Sequence, residues 1–369
     1  MAFRISMALC LLLAWGCEGG PPAESRPDVA APDAPPDAGC ALGWRLPPVE
    51  NADNPSCEPA TEDYTPNADD AWPPCISDDG QYHPFDPNIS SIARVAAFET
   101  IANLLFTGDP PSPRAFEDAR IAYSQDQGLE SRVSRREDEH YPKPEKACAD
   151  MSENELMQHA DRCVGPARIR PLLTNAFADG QVGREPLKNA ARIEAGLLWF
   201  LYLSVYKEAT TCAAVKKDCD SSYAYYTGGG GPDGRLGLSR LMRSLSAAAD
   251  RRIFDGILAV RCWRDLDPGD PASDTSLQSR ALAQMDRALL RGIALIVLSR
   301  IRAMRDASCD PTKAEAYWTG IKILGGVLVR ETRDRDPAGG AALEAALAEP
   351  TAENLARIER ILASAFPCP

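Results

Sequence analysis

The chain has 369 residues, of which 44% are hydrophobic and 25% charged, a composition typical of globular proteins. Its net charge of −13 is uneven, because residues 18–150 carry 26 acidic and 10 basic side chains while residues 151–369 are nearly balanced. Only three histidines occur and no basic stripe interleaves with aromatic residues, which argues against a histidine-rich metal site and against a nucleic-acid partner.

Residues 1–17 have the pattern of a bacterial lipoprotein signal peptide. A positive charge and a short apolar run precede residues 13–17, LAWGC, which resemble a lipobox. Cys17 would then be lipidated and become the new N-terminus. Ala14 and Trp15 depart from the lipobox pattern, so an ordinary secretory signal is the alternative. We expect an exported protein, in the periplasm or on the cell surface, with the membrane as its partner through the lipid anchor.

Two segments of unusual composition follow the signal. Residues 18–39 are mostly proline, alanine and aspartate with little to bury, which predicts a disordered linker. Residues 40–87 contain nine prolines, which forbid long helices and central strands, together with Cys40, Cys57 and Cys75. We expect an irregular segment that cysteines fasten to the body of the protein.

Residues 88–369 carry a succession of helix signals and no alternation long enough for a sheet. The sequence therefore predicts an all-α fold, a helical bundle preceded by the irregular segment. The predicted helices span about 88–106, 113–127, 152–162, 166–179, 186–211, 213–226, 237–265, 274–307, 312–332, 338–348 and 351–365.

One stretch of this body is apolar on almost every side. Residues 197–206 therefore predict a helix surrounded by other helices, and ten such residues are too few to span a bilayer. The pattern recurs: a long apolar helix, a cysteine and a short link lead to Ala-Tyr-aromatic-Thr-Gly at 224–228 and again at 316–320. We interpret this as an internal duplication, with pseudo-repeats at about 166–236 and 250–336 that each close on the glycine.

Ten cysteines remain after those of the signal peptide are removed, and an even number in an exported protein predicts disulfides. Proximity suggests Cys212 with Cys219 and Cys148 with Cys163, and at least one cysteine of residues 40–87 must bond to the body. No CxxC or CxC spacing occurs, so we expect neither a metal site nor a cofactor. The disulfide candidates are Cys40, Cys57, Cys75, Cys148, Cys163, Cys212, Cys219, Cys262, Cys309 and Cys368.

The candidate ligand-binding residues are aromatic apart from one carboxylate. Tyr225, Tyr226, Tyr317 and Trp318 could line a ligand cleft between the two halves, since pockets favour aromatic walls. The alternative, which we favour, is that they pack under the buried helices and that the glycines cap helix ends. Glu194 is a candidate for a buried polar role, although such a carboxylate more often pairs with an arginine. No GxSxG elbow or complete P-loop is present, so no catalytic residue is assigned.

A local match suggests a family. Ile193-Glu194 followed by Leu197-Leu198-Trp199 resembles the GxHxxE motif and apolar continuation of the imelysin-like family, extracytoplasmic bacterial proteins linked to iron uptake and once classed as peptidases. The resemblance implies an all-helical duplicated body, and Glu194 would be the motif's glutamate. Asn189 stands at the glycine and Ala191 at the histidine, so metal binding does not carry over.

These observations together predict a membrane-anchored extracytoplasmic lipoprotein of binding or structural type, whose partner is a small ligand or an envelope protein. The absence of a catalytic motif argues against an enzyme. The alternative is an extracytoplasmic hydrolase with a site assembled from scattered residues.

Overall fold

The computed structural model describes residues 54, 56–67, 71–107, 109–125, 128–231 and 234–369. The predicted signal peptide with Cys17, the linker and Cys40 lie outside these residues. All described residues belong to one unit of the chain, 39–369.

Regular structure in the described residues is helical throughout, with no strand. The predicted all-α class is therefore confirmed. The α-helices are α1 (Ile92–Leu105), α2 (Pro113–Ser124), α3 (Glu130–Val133), α4 (Glu153–Gln158), α5 (Arg170–Gln181), α6 (Pro186–Thr211), α7 (Lys217–Thr227), α8 (Gly237–Leu245), α9 (Ala247–Leu266), α10 (Thr275–Asp306), α11 (Pro311–Arg335), α12 (Pro337–Ala346) and α13 (Ala352–Ala365).

Side-chain caps explain where many of these helices begin. Ser112 accepts a hydrogen bond from the Ala115 N–H, and Asp310 accepts from the N–H groups of Thr312 and Lys313. A proline stands at the first helical position in both cases, where no N–H partner is needed. Each such cap contributes about 1 kcal/mol, because it satisfies a donor that the helix leaves open. Further side-chain caps come from Ser152, Ser246, Asp274, Asp336 and Thr351.

The core is built around α6. Helices α5, α7 and α11 pack along it, and α10 packs against both α9 and α11. Most side chains of α6 between Leu187 and Ala209 are buried. The apolar run at 197–206 therefore sits where its composition requires, with neighbouring helices on its sides. No helix in the described ranges is both long enough and apolar enough to cross a bilayer.

The helix predicted over 237–265 is two helices. Ser246 adopts an extended conformation, with φ −159° and ψ 112°, and its side chain accepts a hydrogen bond from the Ala249 N–H. The prediction of one helix is therefore wrong. Serine competes for backbone hydrogen bonds when its side chain can cap a new helix, which explains the break.

The two Ala-Tyr-aromatic-Thr-Gly segments differ in their surroundings. Gly228 ends α7 in the left-handed region, at φ 68°, and its N–H bonds to the Ala224 carbonyl. Gly320 instead lies inside α11, which continues to Arg335, so the prediction that the second segment closes a helix is wrong. A Cβ at Gly320 would lie 2.3 Å from Nη1 of Arg300, so glycine there permits close packing and not a turn. The internal duplication stays a hypothesis.

Four disulfides are formed within the described residues. Two close short segments, the pairs that proximity along the chain suggested, and two join the segment before α1 to the body. Cys309 is also disulfide-bonded. The four pairs are Cys57–Cys368, Cys75–Cys262, Cys148–Cys163 and Cys212–Cys219, with Cα–Cα distances of 5.4, 5.4, 5.6 and 5.1 Å.

Non-covalent contacts also hold this N-terminal segment against the helices. The amide side chain of Gln284 exchanges two hydrogen bonds of 2.8 Å with the Tyr64 backbone, and the Tyr82 ring stacks on Tyr223 at 4.1 Å between centroids. Within its described residues the regular structure is a single 3-10 turn, Ile76–Asp79. The predicted irregular segment begins at residue 40, beyond what is described, so its full extent stays a prediction.

Candidate functional site

The five predicted site residues do not converge on one place. Tyr226 is buried, and its hydroxyl donates a 2.8 Å hydrogen bond to Asp250. Trp318 is half-buried and packs against the main core. Glu194 and Tyr317 lie near each other, and Tyr225 lines a separate polar cleft. The predicted aromatic cleft between two halves is therefore not formed by these residues.

Glu194 belongs to a buried ion pair. Its Oε2 lies 2.6 Å from Nη2 of Arg300, and the two side chains are 9% and 1% exposed, so the pair joins α6 to α10. The Arg300 side chain lies directly over Gly320 and occupies the space between the helices. Burial, with the nearby Glu194 charge, raises the pKa of Tyr317. This interface is filled by the protein's own charges.

His140 is the centre of a second buried polar group, which we call the His140 cluster. Its Nδ1 lies 2.6 Å from Asp138 Oδ1, and its Nε2 lies 3.2 Å from Asp286 Oδ2. The hydroxyl of Tyr202 donates to the other oxygen of Asp286 at 3.0 Å. The imidazole also stacks on the Tyr206 ring, 3.9 Å between centroids. The cluster therefore connects the loop after α3 with α6 and α10.

The carboxylates determine the charge state of His140. Burial lowers the pKa of the imidazole, but hydrogen bonds to Asp138 and Asp286 and their negative charges outweigh burial and raise the pKa to about 9. At neutral pH the ring is therefore an imidazolium, whose Nδ1 is hydrogen-bonded to Asp138 and whose Nε2 lies within ion-pair distance of Asp286. Arg330 lines the same small cavity of about 30 Å³, which is room for about one water.

A second polar cavity, larger than the one beside His140, lies elsewhere, and we call it the Arg132 cleft. It has a volume of about 240 Å³ and lies between α3, the end of α6, the start of α7 and the segment that leads into α1. Serine and asparagine side chains and the ring of Tyr225 complete its wall. Its ionisable lining residues are Asp86, Arg132, Glu208, Lys217, Asp218 and Asp220.

Local structure fixes the acidic wall of the Arg132 cleft. The disulfide Cys212–Cys219 joins the end of α6 to the first turns of α7, and the Thr211 hydroxyl donates to Asp218 at 2.7 Å. Asp220 accepts hydrogen bonds from the N–H groups of Phe85 and Asp86, at 3.0 and 2.9 Å. The wall is therefore held by one covalent and several polar links before any ligand arrives.

The cleft's charges are only partly paired. Glu208 lies 2.9 Å from Nη1 of Arg136, a residue behind the wall that is 4% exposed. By contrast, the side chains of Arg132 and Lys217 make no hydrogen bond or ion pair with any described residue. Nε of Arg132 is nevertheless buried.

Burial also affects two carboxyl groups of the cleft. It raises the pKa of Asp218, and the nearby charge of Glu208 adds to this effect. Burial likewise raises the pKa of Asp220, although backbone hydrogen bonds oppose it. Both groups therefore lack some of the solvation that a carboxylate has in water, and a cation placed beside them would be favourable.

Sequence reasoning did not identify His140 or Arg132 as site residues. His140 lies in a charged loop, and Arg132 is one of three arginines between residues 132 and 136. No local pattern separates a paired arginine from an unpaired one. The available signal was Cys212–Cys219, whose short spacing marks the link that forms one wall of the cleft.

Comparison with protein-family models, with curated proteins and with solved structures finds no match to this chain. The resemblance to the imelysin-like family stays a hypothesis.

Proposed function

We propose that the chain is an exported lipoprotein, anchored to the membrane through Cys17, whose helical body binds a small polar molecule in the Arg132 cleft. The observation that carries the binding role is the cleft itself: a polar cavity of about 240 Å³ with two unpaired cationic side chains among the described residues. Its volume is below the 300–1,000 Å³ range typical of drug-sized ligands, which favours a small molecule.

Export is supported by the cysteines. Four disulfides within the described residues suit an oxidising compartment and would be unusual for a protein of a reducing one. The anchor rests on the sequence pattern at residues 13–17. An acyl chain on Cys17 would insert apolar area into a bilayer, which the acidic linker alone cannot do.

Fractionation of a bacterial host that processes lipoproteins tests the anchor. We expect Cys17→Ser to move the protein from the membrane to the soluble exported fraction. Cys10→Ser is the matched control, because it removes a cysteine from the same signal without touching the lipobox. Unchanged membrane retention of Cys17→Ser would contradict the lipoprotein proposal.

Native mass spectrometry of the protein purified from the exported fraction tests binding. We expect a small molecule to accompany the intact chain and to be lost from an Arg132→Gln variant. A purely structural role predicts no such mass in either protein. The two tests are independent, since the anchor lies outside the body that holds the cleft.

A hydrolase is the weaker candidate. The one buried histidine with polar neighbours is held between Asp138 and Asp286, and its pKa of about 9 keeps the ring protonated at neutral pH. A general base must be free to accept a proton near the working pH, so His140 is poorly suited to that role.

A further inference from the structure

We propose that the Arg132 cleft recognises the zwitterionic head of a free amino acid, with the ligand carboxylate against Arg132 and Lys217 and the ligand ammonium against Asp86 and Asp218. This inference rests on the proposed binding function and names the class of its ligand. Four features of the cleft support it.

The first feature is the unpaired guanidinium. Arginine is always charged and presents a planar set of donors that matches a carboxylate. In Arg136 and Arg300, for example, the guanidinium group is paired with a glutamate of the protein itself. Arg132 lines the cavity with no partner among the described residues, and its Nε is shielded from solvent. A carboxylate in the cleft would supply the missing acceptor.

The second feature is the mixture of signs. Carboxylates from Asp86, Glu208, Asp218 and Asp220 share the lining with Arg132 and Lys217. A simple anion would meet repulsion from the carboxylates, and a simple cation would meet it from the two basic groups. A ligand that carries both charges is complementary to both sets, and complementarity of this kind gives specificity.

The third feature is the backbone that borders the cleft. Ser90 and Ser91 immediately precede α1, and Lys217 and Asp218 form the first turn of α7. The N-terminal end of α1, which has no acidic side chain in its first turn, therefore adds partial positive charge to this region, whereas Asp218 and Asp220 already occupy the first turn of α7. The end of α1 reinforces the place of a carboxylate there, in addition to the arginine.

The fourth feature is size and polarity. A volume of about 240 Å³ corresponds to roughly eight water molecules at about 30 Å³ each, which suits one amino acid. Beyond the charged groups, Asn88, Ser90 and Ser221 offer amide and hydroxyl groups to a side chain. We therefore expect a polar, uncharged side chain to bind best.

The experiment uses the full chain and begins with thermal unfolding in the presence of each of the twenty common L-amino acids. We expect at least one, with L-glutamine and L-serine as the first probes, to raise the melting temperature. Isothermal titration then compares the best ligand with its decarboxylated and deaminated analogues. Loss of either charged group should weaken binding at least tenfold, because one set of protein charges is then left unmatched.

Reciprocal variants assign the two ends of the ligand. Arg132→Gln should lower the affinity for the amino acid at least tenfold and leave the affinity for the decarboxylated analogue unchanged. Asp218→Asn should lower the affinity for the amino acid and leave the affinity for the deaminated analogue unchanged. Arg135→Gln is the matched control, because Arg135 is exposed and its guanidinium donates to the Ser131 carbonyl of the preceding turn, away from the cleft lining. The affinity of the Arg135→Gln variant for the amino acid should equal that of the wild type.

Three outcomes would overturn the inference in distinguishable ways. If an analogue with a single charge binds as tightly as the amino acid, the zwitterion assignment is wrong while a binding function stands. If Arg132→Gln and Arg135→Gln bind the amino acid equally well, the ligand lies elsewhere on the protein. If no amino acid binds and native mass spectrometry finds no accompanying molecule, both this inference and the proposed binding function fail.

Discussion

The His140 cluster and the Arg132 cleft are two polar regions beside the same helix. They differ in whether their cationic groups have partners among the described residues. Helix α6 supplies Tyr202 and Tyr206 to the first and Glu208 to the second. In the cluster the charged ring lies between two carboxylates. In the cleft, the two cationic side chains of the lining meet no described partner.

The difference separates charges that the fold pairs internally from charges that it leaves open to a ligand. Removing a charge from water is unfavourable unless a partner compensates it. The His140 cluster and the Glu194–Arg300 pair supply that compensation internally, so they stabilise the fold. Arg132 is half-buried and has no compensating partner among the described residues, as a site that receives a ligand carboxylate would require.

The largest expected effect concerns the Glu194–Arg300 pair. Glu194→Ala should lower the free energy of unfolding by about 3–5 kcal/mol, because it leaves a buried guanidinium without its counter-charge. Glu315→Ala is the control, since Glu315 is 53% exposed in its pair with Lys188 and should contribute less than about 1 kcal/mol. Urea unfolding followed by circular dichroism measures both. Equal losses would contradict the view that buried pairs hold this fold.

The His140 cluster gives a dependence on pH with a definite sign. The folded pKa of about 9 lies above the ordinary value of 6.5, so protonation stabilises the folded state. That contribution is fully present below about pH 6.5 and is lost as pH rises through about 9. A difference of about 2.5 pH units corresponds to about 3 kcal/mol. The charged and titratable groups that face the ring are Asp138, Asp286, Tyr202, Tyr206 and Arg330.

Unfolding free energies measured between pH 6 and pH 10 check this expectation. The wild type should lose stability over pH 6.5–9, and His140→Gln should lose most of that dependence. Burial is the main cause that raises the pKa of Tyr206 to about 12, so this tyrosine titrates above the window. A variant with an unchanged pH profile would show that His140 is not the group responsible.

A smaller effect on stability is expected from the disulfide at the cleft wall. Cys212→Ser with Cys219→Ser opens a loop with a sequence separation of 7, which should cost about 2 kcal/mol because the unfolded chain gains entropy. Binding in the cleft should weaken as well, because the disulfide no longer fixes the start of α7, which carries Asp218. Removal of Cys148–Cys163, with a separation of 15, should cost about 3 kcal/mol and leave binding unchanged. Weaker binding after removal of Cys148–Cys163, with unchanged binding after removal of Cys212–Cys219, would show that the ligand does not bind in the cleft.

Much of the helical framework was predictable because its signals are local. Pro186 and Cys212 bracket α6 in the sequence as they do in the structure, and Ser112-Pro113 marks the start of α2. Ser246 escaped prediction, since the surrounding residues keep a helical pattern on both sides of the break.

The polar regions were not predictable, because their partners are distant along the chain. Glu194 and Arg300 are 106 residues apart, and Arg136 and Glu208 are 72 apart. The sequence identified Glu194 as a carboxylate that requires a partner and left the partner open. Gly320 shows the same limit, because its pentapeptide matches that of Gly228 while its tertiary neighbour, Arg300, sets a different role.

The smallest expected effect gives the most direct test of the account. Arg132 and Arg136 are four residues apart, but among the described residues Arg136 has an ion-pair partner, Glu208 at 2.9 Å, and Arg132 has none. In the ligand-free protein, Arg136→Met should lower the free energy of unfolding by about 3–5 kcal/mol, as loss of a buried partner does. Arg132→Met should change it by no more than about 0.5 kcal/mol, because no internal contact of its charge is lost. A loss for Arg132→Met as large as that for Arg136→Met would show that Arg132 holds the fold, and would contradict the claim that the cleft's charges await a ligand.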